Sequence, residues 1–396
     1  MERHIHYKRG KGDVSVSLFP TYPRLPVTLT DAEGTIVRDD NNNEYLDFTS
    51  GIGVNNLGHR PVAVQRAIEE QMNRLWHVSN IFPVPAQVEA AEILTAHSSM
   101  DAVFFCNSGA EANEAAIKLA RKHTGKDKVV TFGQSFHGRS FATMAATGQE
   151  KVRQGFGRML EPFDYAVWND KESVERNIDG TTAACMLEIV QGEGGVRPAE
   201  QSFLEFVQEV CRSRGVLLII DEIQTGAGRT GELFAYETMG LEPDIITSAK
   251  GLGSGFPVGA MLGKAFLKDN FGPGSHGSTF GGNPLSATAA RATLEEILKE
   301  GFLNDVKEKG KYMKEQLTGM VADIDGVKEV RGLGLMIGVE WGCEVKSIID
   351  ELRTEGVLVL PAGPDVIRLL PPLTVTKAQI DAALRILDEV FHRRAQ

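Results

Sequence analysis

Gly215-Val-Leu-Leu-Ile-Ile-Asp-Glu-Ile-Gln224 holds five consecutive apolar residues that run straight into two acids. An unbroken apolar run of this length marks a strand covered on both faces, not one with a wet side. Such strands belong to helix-flanked sheets, whose ligands gather beyond the carboxyl ends of the strands. Asp221 stands at that end. A carboxylate there is rarely buried without a partner, so the segment either aims Asp221 at a cation or lets it reach solvent. Taken alone, the stretch leaves both readings open.

Immediately upstream, Ser202 to Arg214 repeats at helical spacing, with Phe203, Phe206, Val207, Val210 and Cys211 on one face and Gly215 as the stop. Further apolar runs at Val103–Phe105, Lys128–Phe132, Ala184–Val190 and Asp244–Thr247 alternate with helical stretches. This alternation predicts an α/β fold with a mostly parallel central sheet flanked by helices. Toward the N-terminus, Pro20, Pro23 and Pro26 predict an extended arm. Gly34 to Phe48 reads as a hairpin turning at an Asp/Asn cluster. After Asn283 one long helix is expected over Ala287–Leu317. Strands follow at Val327–Arg331, Gly334–Glu340, Val357–Leu360 and Val366–Leu370. A last helix opens on Thr376 and Gln379 in capping-box spacing. The expected organisation is an N-terminal arm with part of a small domain (1–60), a large domain (61–285), and a C-terminal small α+β domain (286–396).

The 396 residues carry 53 acids against 42 Lys and Arg, a formal charge of -11, which argues against a general nucleic-acid binder. Cys106, Cys185, Cys211 and Cys343 are widely spaced and form no CxxC pair. They read as reduced, buried thiols of a cytosolic protein, and no metal site is expected. The first residues, MERHIHYKRGKGDV, are basic without an apolar stretch behind them, and no run approaches about 18 apolar residues. A cytoplasmic location without signal or membrane span is therefore expected.

Three more segments bear on chemistry. Cys106-Asn-Ser-Gly-Ala-Glu-Ala-Asn113 joins an apolar run to a helix with Glu111 and Glu114 early and Lys118, Arg121 and Lys122 late. Free N–H groups at Gly109 and Ala110 would suit a phosphate, although a plain strand-to-helix turn reads the same way. Thr247-Ser-Ala-Lys-Gly-Leu-Gly-Ser-Gly-Phe-Pro257 sets Lys250 between an apolar strand and a glycine-rich loop, where partial desolvation would make its amine a better nucleophile. Gly274 to Pro284 is rich in glycine and hydroxyls, as an oxyanion cradle or a flexible loop would be. A decoy stands beside them. Gly226-Ala-Gly-Arg-Thr-Gly231 fits the dinucleotide-binding spacing, but Asp221 to Thr225 separates it from its strand and no helical stripe follows.

Taken in order, NSGAEAN, SFHGR, QGEGG, DEIQTGAGRTG, SAKGLGSGFPVGA and GSTFGGNP resemble the class III, or subgroup II, aminotransferases, over about Thr21 to Arg368. The resemblance implies the type I fold of pyridoxal-phosphate enzymes and a homodimer with sites between subunits. It implies that Lys250 carries pyridoxal 5'-phosphate and that Asp221 pairs with its ring nitrogen. Phe136 would stack on the ring, Gln224 would meet its oxygen, and Gly109 and Ala110 would hold the phosphate together with Thr279 of the other subunit. Arg139, with Ser278 nearby, would bind the donor carboxylate. Glu193 would cover Arg368, the residue for 2-oxoglutarate. Within the family the chain looks most like members of the arginine pathway, which implies transfer of the terminal amine of N-acetyl-L-ornithine to 2-oxoglutarate. Ornithine, succinylornithine, 4-aminobutyrate or a diaminopimelate-pathway donor are the near alternatives. A dinucleotide oxidoreductase and a catalytically silent binding module are the remote ones. The sequence departs from the family at Gly58-His-Arg-Pro-Val62, which lacks a second histidine, and at Asn42, where glycine is frequent.

Overall fold

The computed structural model describes residues 18–395, so the basic N-terminal run lies outside the described residues. Residues 18–28, with their three prolines, form neither helix nor strand. The central sheet has seven strands. In spatial order they are Ala102–Cys106, Gly259–Gly263, Ile245–Ser248, Leu217–Asp221, Thr182–Glu188, Lys128–Phe132 and Phe163–Ala166. Leu217–Asp221 is parallel to both neighbours, in a register that sets Asp221 level with Glu188 on one side and Thr247 on the other. The five inner strands are buried at every residue, as a sheet covered on both faces requires, polar residues such as Thr131, Thr247 and Ser248 included.

Two strands of this sheet carry little sequence signal. Gly259–Gly263 runs antiparallel to both of its neighbours. Its small residues carry weak strand preference, but they fit the space. A Cβ on Gly259 would come 2.5 Å from the carbonyl oxygen of Ser108, so the glycine lets this strand touch the turn that opens the helix Gly109–Thr124. Phe163–Ala166, at the opposite edge, is a short four-residue strand.

The helix Gln201–Arg214 buries Phe203, Leu204, Val207, Val210 and Cys211, leaves Phe206 half-buried, and stops where Gly215 turns left-handed at φ 60°. The long helix expected over Ala287–Leu317 is instead two helices, Pro284–Ile297 and Phe302–Met320. Gly301 breaks the run at φ 82°, a conformation open to glycine and costly for most other residues.

The chain ends supply two further sheets. Leu29–Glu33, Ile36–Asp39 and Glu44–Asp47 form a meander whose second turn holds Asn42 at φ 61°. Val357–Leu358 joins it in parallel with Glu44–Asp47. The other sheet contains Val327–Leu333, Met336–Trp341, Val366–Leu369 and Leu360–Pro361. The single strand expected over Val357–Leu360 is thus two, serving different sheets. The final helix, Lys377–Ala395, begins with the capping box: Gln379 Oε1 accepts from Thr376 N at 2.9 Å and Thr376 Oγ1 accepts from Gln379 N at 3.2 Å. From this helix Phe391 packs edge-on against Trp341, with ring centroids 5.0 Å apart. All four cysteines are free. Three are buried, but Cys343 is exposed, contrary to the expectation, because it lies just beyond the strand Met336–Trp341. No helix among the described residues is long and apolar enough to cross a membrane.

Candidate active site

A cavity of about 440 Å³ opens beyond the carboxyl ends of the central strands. Asp221 lies at its inner wall, buried, and receives three hydrogen bonds. Asn113 Nδ2 donates to Oδ2 at 2.8 Å, His137 Nδ1 lies 2.7 Å from the same oxygen, and Ile223 N donates to Oδ1 at 3.0 Å. Asn113 is fixed in turn, since its Nδ2 also donates to the His137 carbonyl at 2.8 Å and its Oδ1 accepts from Thr247 Oγ1 at 2.7 Å. Burial works against a charged His137 ring, but the hydrogen bond and charge of Asp221, with Glu188 behind it, outweigh burial and hold the ring above its ordinary range. Glu188 ends the neighbouring strand. Burial pushes its carboxyl up to about 7, with repulsion from Asp221 opposing the pull of His137. The wall is therefore a fixed carboxylate backed by a protonatable imidazole. Such an arrangement stabilises positive charge on whatever faces it.

Across the cavity, the helix Gly109–Thr124 presents its N-terminus. Ser108 caps it through a 3.2 Å bond from Glu111 N to its hydroxyl. The amides of Gly109 and Ala110, in the first turn, have no intrahelical acceptor and line the cavity. Gly109 must be glycine for close packing, because a Cβ there would lie 2.7 Å from Ile223 Cδ1. The helix dipole adds to the attraction for an anion, and the turn is suited to a phosphate.

Lys250 follows the strand Ile245–Ser248 and opens a short 3-10 turn, Lys250–Gly253, with φ 45°. A left-handed lysine is uncommon and is held here by close packing. The adjacent Gly251 has no room for a side chain, since a Cβ would sit 2.1 Å from Asn56 Nδ2. Burial holds the Lys250 amine below its ordinary range, against the opposing charge of Glu193. Among the described residues its Nζ makes no ion pair or hydrogen bond. An amine of this kind is less protonated, and hence more nucleophilic, than a solvated lysine.

Phe136 lines the same cavity. Its N–H donates to Glu188 Oε2 at 3.2 Å, and the exposed guanidinium of Arg139 lies 5.7 Å from its ring centroid. At another wall, Arg368 Nη1 bonds Glu193 Oε1 at 2.6 Å and Gln224 Oε1 at 2.9 Å. Burial alone would raise the Glu193 carboxyl, but Arg368, aided by Lys250 and Gln224, draws it below its ordinary range. Arg368 is thus a buried cation whose anionic partner belongs to the chain itself.

Lys250, Asp221, Gly109, Ala110, Phe136, Gln224, Arg139 and Glu193 all line this cavity, with Arg368 bonded behind Glu193. Ser278 and Thr279 do not. The Ser278 hydroxyl accepts from Asn107 Nδ2 at 3.1 Å, and Thr279 is exposed beside it. Sequence reasoning assigned no role to Asn113, His137 or Glu188. Asn113 and His137 sit within the quoted NSGAEAN and SFHGR segments, and Glu188 ends a buried strand as Asp221 does, which is a usable signal. His59, in the divergent Gly58–Val62 segment, pairs with Asp47 at 2.8 Å.

The dinucleotide-like Gly226–Gly231 segment is a buried turn that opens no helix. A Cβ on Gly228 would lie 2.9 Å from Leu373, and Arg229 fills the interior, bonding Asn56 Oδ1 at 2.6 Å, Leu335 O at 3.0 Å and the Pro371 carbonyl. There is no cradle here for a pyrophosphate.

The family described as aminotransferase class-III matches residues 20–391. The acetylornithine aminotransferase of Bacillus subtilis (strain 168) is 55% identical over 96% of this chain and 99% of its own length. That of Halalkalibacterium halodurans is 56% identical over 94% and 97% respectively. Among solved structures, N-acetylornithine aminotransferase from Stenotrophomonas maltophilia K279a superposes with a TM-score of 0.82 at 36% identity, over 94% of this chain and 97% of that one. Ornithine aminotransferase from Toxoplasma gondii, described with partial occupancy of PLP at its active site, gives 0.92 at 31% identity, over 95% and 92%.

Proposed function

The chain belongs to the class-III aminotransferase family, and we propose that it transfers the terminal amine of N-acetyl-L-ornithine to 2-oxoglutarate. The products are N-acetyl-L-glutamate 5-semialdehyde and L-glutamate, as arginine biosynthesis requires. The observation that carries this reading is the 2.6 Å pair between Glu193 and Arg368 in the cavity that also holds Lys250 and Asp221.

The residues fit pyridoxal 5'-phosphate. The orphan amides of Gly109 and Ala110 suit its phosphate, the buried Asp221 suits a protonated ring nitrogen, Phe136 suits the ring face, and the unpartnered Lys250 amine suits its aldehyde. When bound, this cofactor supplies the electron sink that transamination needs. Asp221, held by Asn113 and His137, would favour a protonated ring nitrogen on the bound cofactor. With the cofactor in place, the Lys250 amine would be positioned to take up and return a proton at the reacting substrate carbon.

The two substrates pose a geometric problem. The acylated donor reacts far from its carboxylate, whereas glutamate reacts next to one of its own. Arg139, at the cavity mouth, binds the distant carboxylate of the donor, with Ser278 nearby. Arg368 binds the α-carboxylate of glutamate or 2-oxoglutarate after Glu193 leaves it. Arginine suits both tasks because its planar fork meets carboxylates bidentately. While Glu193 covers Arg368, an α-amino acid finds no open cation beside the reacting carbon, which favours the terminal amine.

The same reading makes the protein a cytoplasmic homodimer, with Thr279 completing the phosphate site of the partner subunit. Exposed apolar side chains near that loop support it. Ile81 is 80% exposed, Trp76 and Phe280 each 60%, and Asn80 binds the Ser278 and Gly281 carbonyls. The chain then divides at about residues 60 and 285 into arm, cofactor-binding domain and C-terminal small domain.

The deciding experiment is a donor panel of N-acetylornithine, succinylornithine, ornithine, 4-aminobutyrate and glutamate. Each half-reaction is followed by visible absorbance in a single turnover. N-acetylornithine should give the highest kcat/KM, and a clear preference for another donor would overturn the assignment.

A further inference from the structure

Glu193 rides on a hairpin. Val190–Gln191 pairs antiparallel with Arg197–Pro198, so residues 192–196 form the connecting loop. Gly195 and Val196 both have positive φ, at 103° and 49°. The second is strained, because a β-branched side chain crowds the left-handed backbone. Such a conformation persists only where its surroundings hold it.

What holds it is a single row across the sheet of the C-terminal part. Arg331 stands opposite Gly338, and Gly338 stands opposite Arg368 on the next strand. Directly opposed positions project to the same face, and the loop lies across all three. At one end Arg368 holds the Glu193 carboxylate. In the middle Gly338 makes room for Val196, since a Cβ would come 2.8 Å from that residue's own Cβ. At the other end Arg331 donates to the Gly195 carbonyl from Nε at 3.0 Å and Nη2 at 2.7 Å, and to the Val196 carbonyl from Nε at 3.2 Å. Glu329, at 2.8 Å, and Glu340 fix the opposite edge of the same guanidinium. Arg331 does not line the cavity of Lys250.

We propose that Arg331 is a positioning residue for Glu193. With Gly338 it sets how firmly the loop is held over Arg368, and so how easily an α-carboxylate displaces Glu193. The inference rests on the proposed role of Glu193 as a cover for Arg368. The direction follows from the strain at Val196. The bonds from Arg331 offset it only while the loop lies on the row, so removing them disfavours the covered state.

The test uses the cofactor-loaded protein and glutarate, an unreactive dicarboxylate, with binding measured by calorimetry. Arg331→Met and, from the opposite side of the loop, Gly338→Ala should each tighten glutarate by about 2- to 30-fold, the range over which residues remote from a site modulate it. The KM for glutamate should fall by a similar factor without a matching change in kcat. In a Glu193→Ala background the same substitutions should have no further effect. Where Arg331→Met does not fold, Arg331→Lys, which keeps a cation between the two glutamates, carries the comparison. Unchanged glutarate affinity in folded variants, or an equal shift without Glu193, overturns the proposal. If Glu193→Ala alone leaves glutarate binding unchanged, the covering role of Glu193 fails instead, and this inference falls with it.

Discussion

His137 Nδ1 lies 2.7 Å from Asp221 Oδ2, and the two residues are 2% and 3% exposed. A second donor, Asn113 Nδ2, meets the same oxygen. The carboxylate that faces the cavity is thus oriented by two neighbours, one of which, His137, lines the same cavity.

Substituting His137→Leu removes one charge-assisted bond. Such bonds contribute about 1.5–3 kcal/mol, or one to two powers of ten in affinity. Pyridoxal phosphate should bind more weakly by about that factor, as read by spectral titration, with a smaller loss in His137→Asn. Wild-type affinity in His137→Leu would contradict the orienting role.

Removing Arg368 should affect the two half-reactions unequally. Arg368→Ala should slow the reaction with 2-oxoglutarate by about 10- to 100-fold, while the reaction with N-acetylornithine suffers less. Single-turnover absorbance separates the halves. Equal slowing would mean that both substrates use this arginine.

Subunit exchange tests Thr279. Lys250→Ala and Thr279→Arg chains should each be nearly inactive alone. Mixed after reversible dissociation, they form hybrids in which the intact Lys250 faces an intact Thr279 from the other chain. Activity should return. If Thr279 serves its own subunit, mixing restores nothing.

Glu222 gives a pH prediction. It is buried beside Asp221, and its carboxyl accepts from Tyr236 N at 2.8 Å and from the Thr225 hydroxyl. Burial pushes it up to about 7 from an ordinary 4.5. A carboxyl raised on folding is favoured protonated, so its contribution is fully present below pH 4.5 and is lost as pH rises through about 7. Glu222→Gln should remove this loss, on the order of 3 kcal/mol. Denaturant melts of parent and variant at pH 5 and about pH 8 should therefore diverge at the higher value. Parallel pH profiles would refute the assignment.

Much of this arrangement was legible in the sequence because it is local. The run before Asp221 announced a two-sided strand, and the 3.6-residue repeat of Ser202–Arg214 announced its helix. The break at Gly301 was less visible, since one glycine costs a helix only about 1 kcal/mol. Gly259–Gly263 has no periodicity to read, and its strand exists because the sheet has a slot for small residues. The partners of Asp221 were hidden for a different reason. Asn113 and His137 lie 108 and 84 positions away along the chain, and only the topology brings them to one carboxylate. Pairings of that kind come from tertiary geometry, so the motif containing each residue could be quoted without its task being seen.

The buried Arg229 has a bearing on how the chain matures. Its guanidinium, held down to about 9 by burial, bonds Asn56, Leu335 and Pro371 through its two terminal nitrogens, its Nε is buried without a partner, and no carboxylate among the described residues accompanies it. A ribosome delivers Asn56 long before Pro371. Until then this cation has water as its natural company, and the turn that carries it has no reason to settle. Completion of this turn therefore waits for the segment around Pro371, even though the central strands are translated before it. Translation order and folding order part ways here, and a nascent chain stalled before Pro371 would hold an unfinished interior for chaperones to guard.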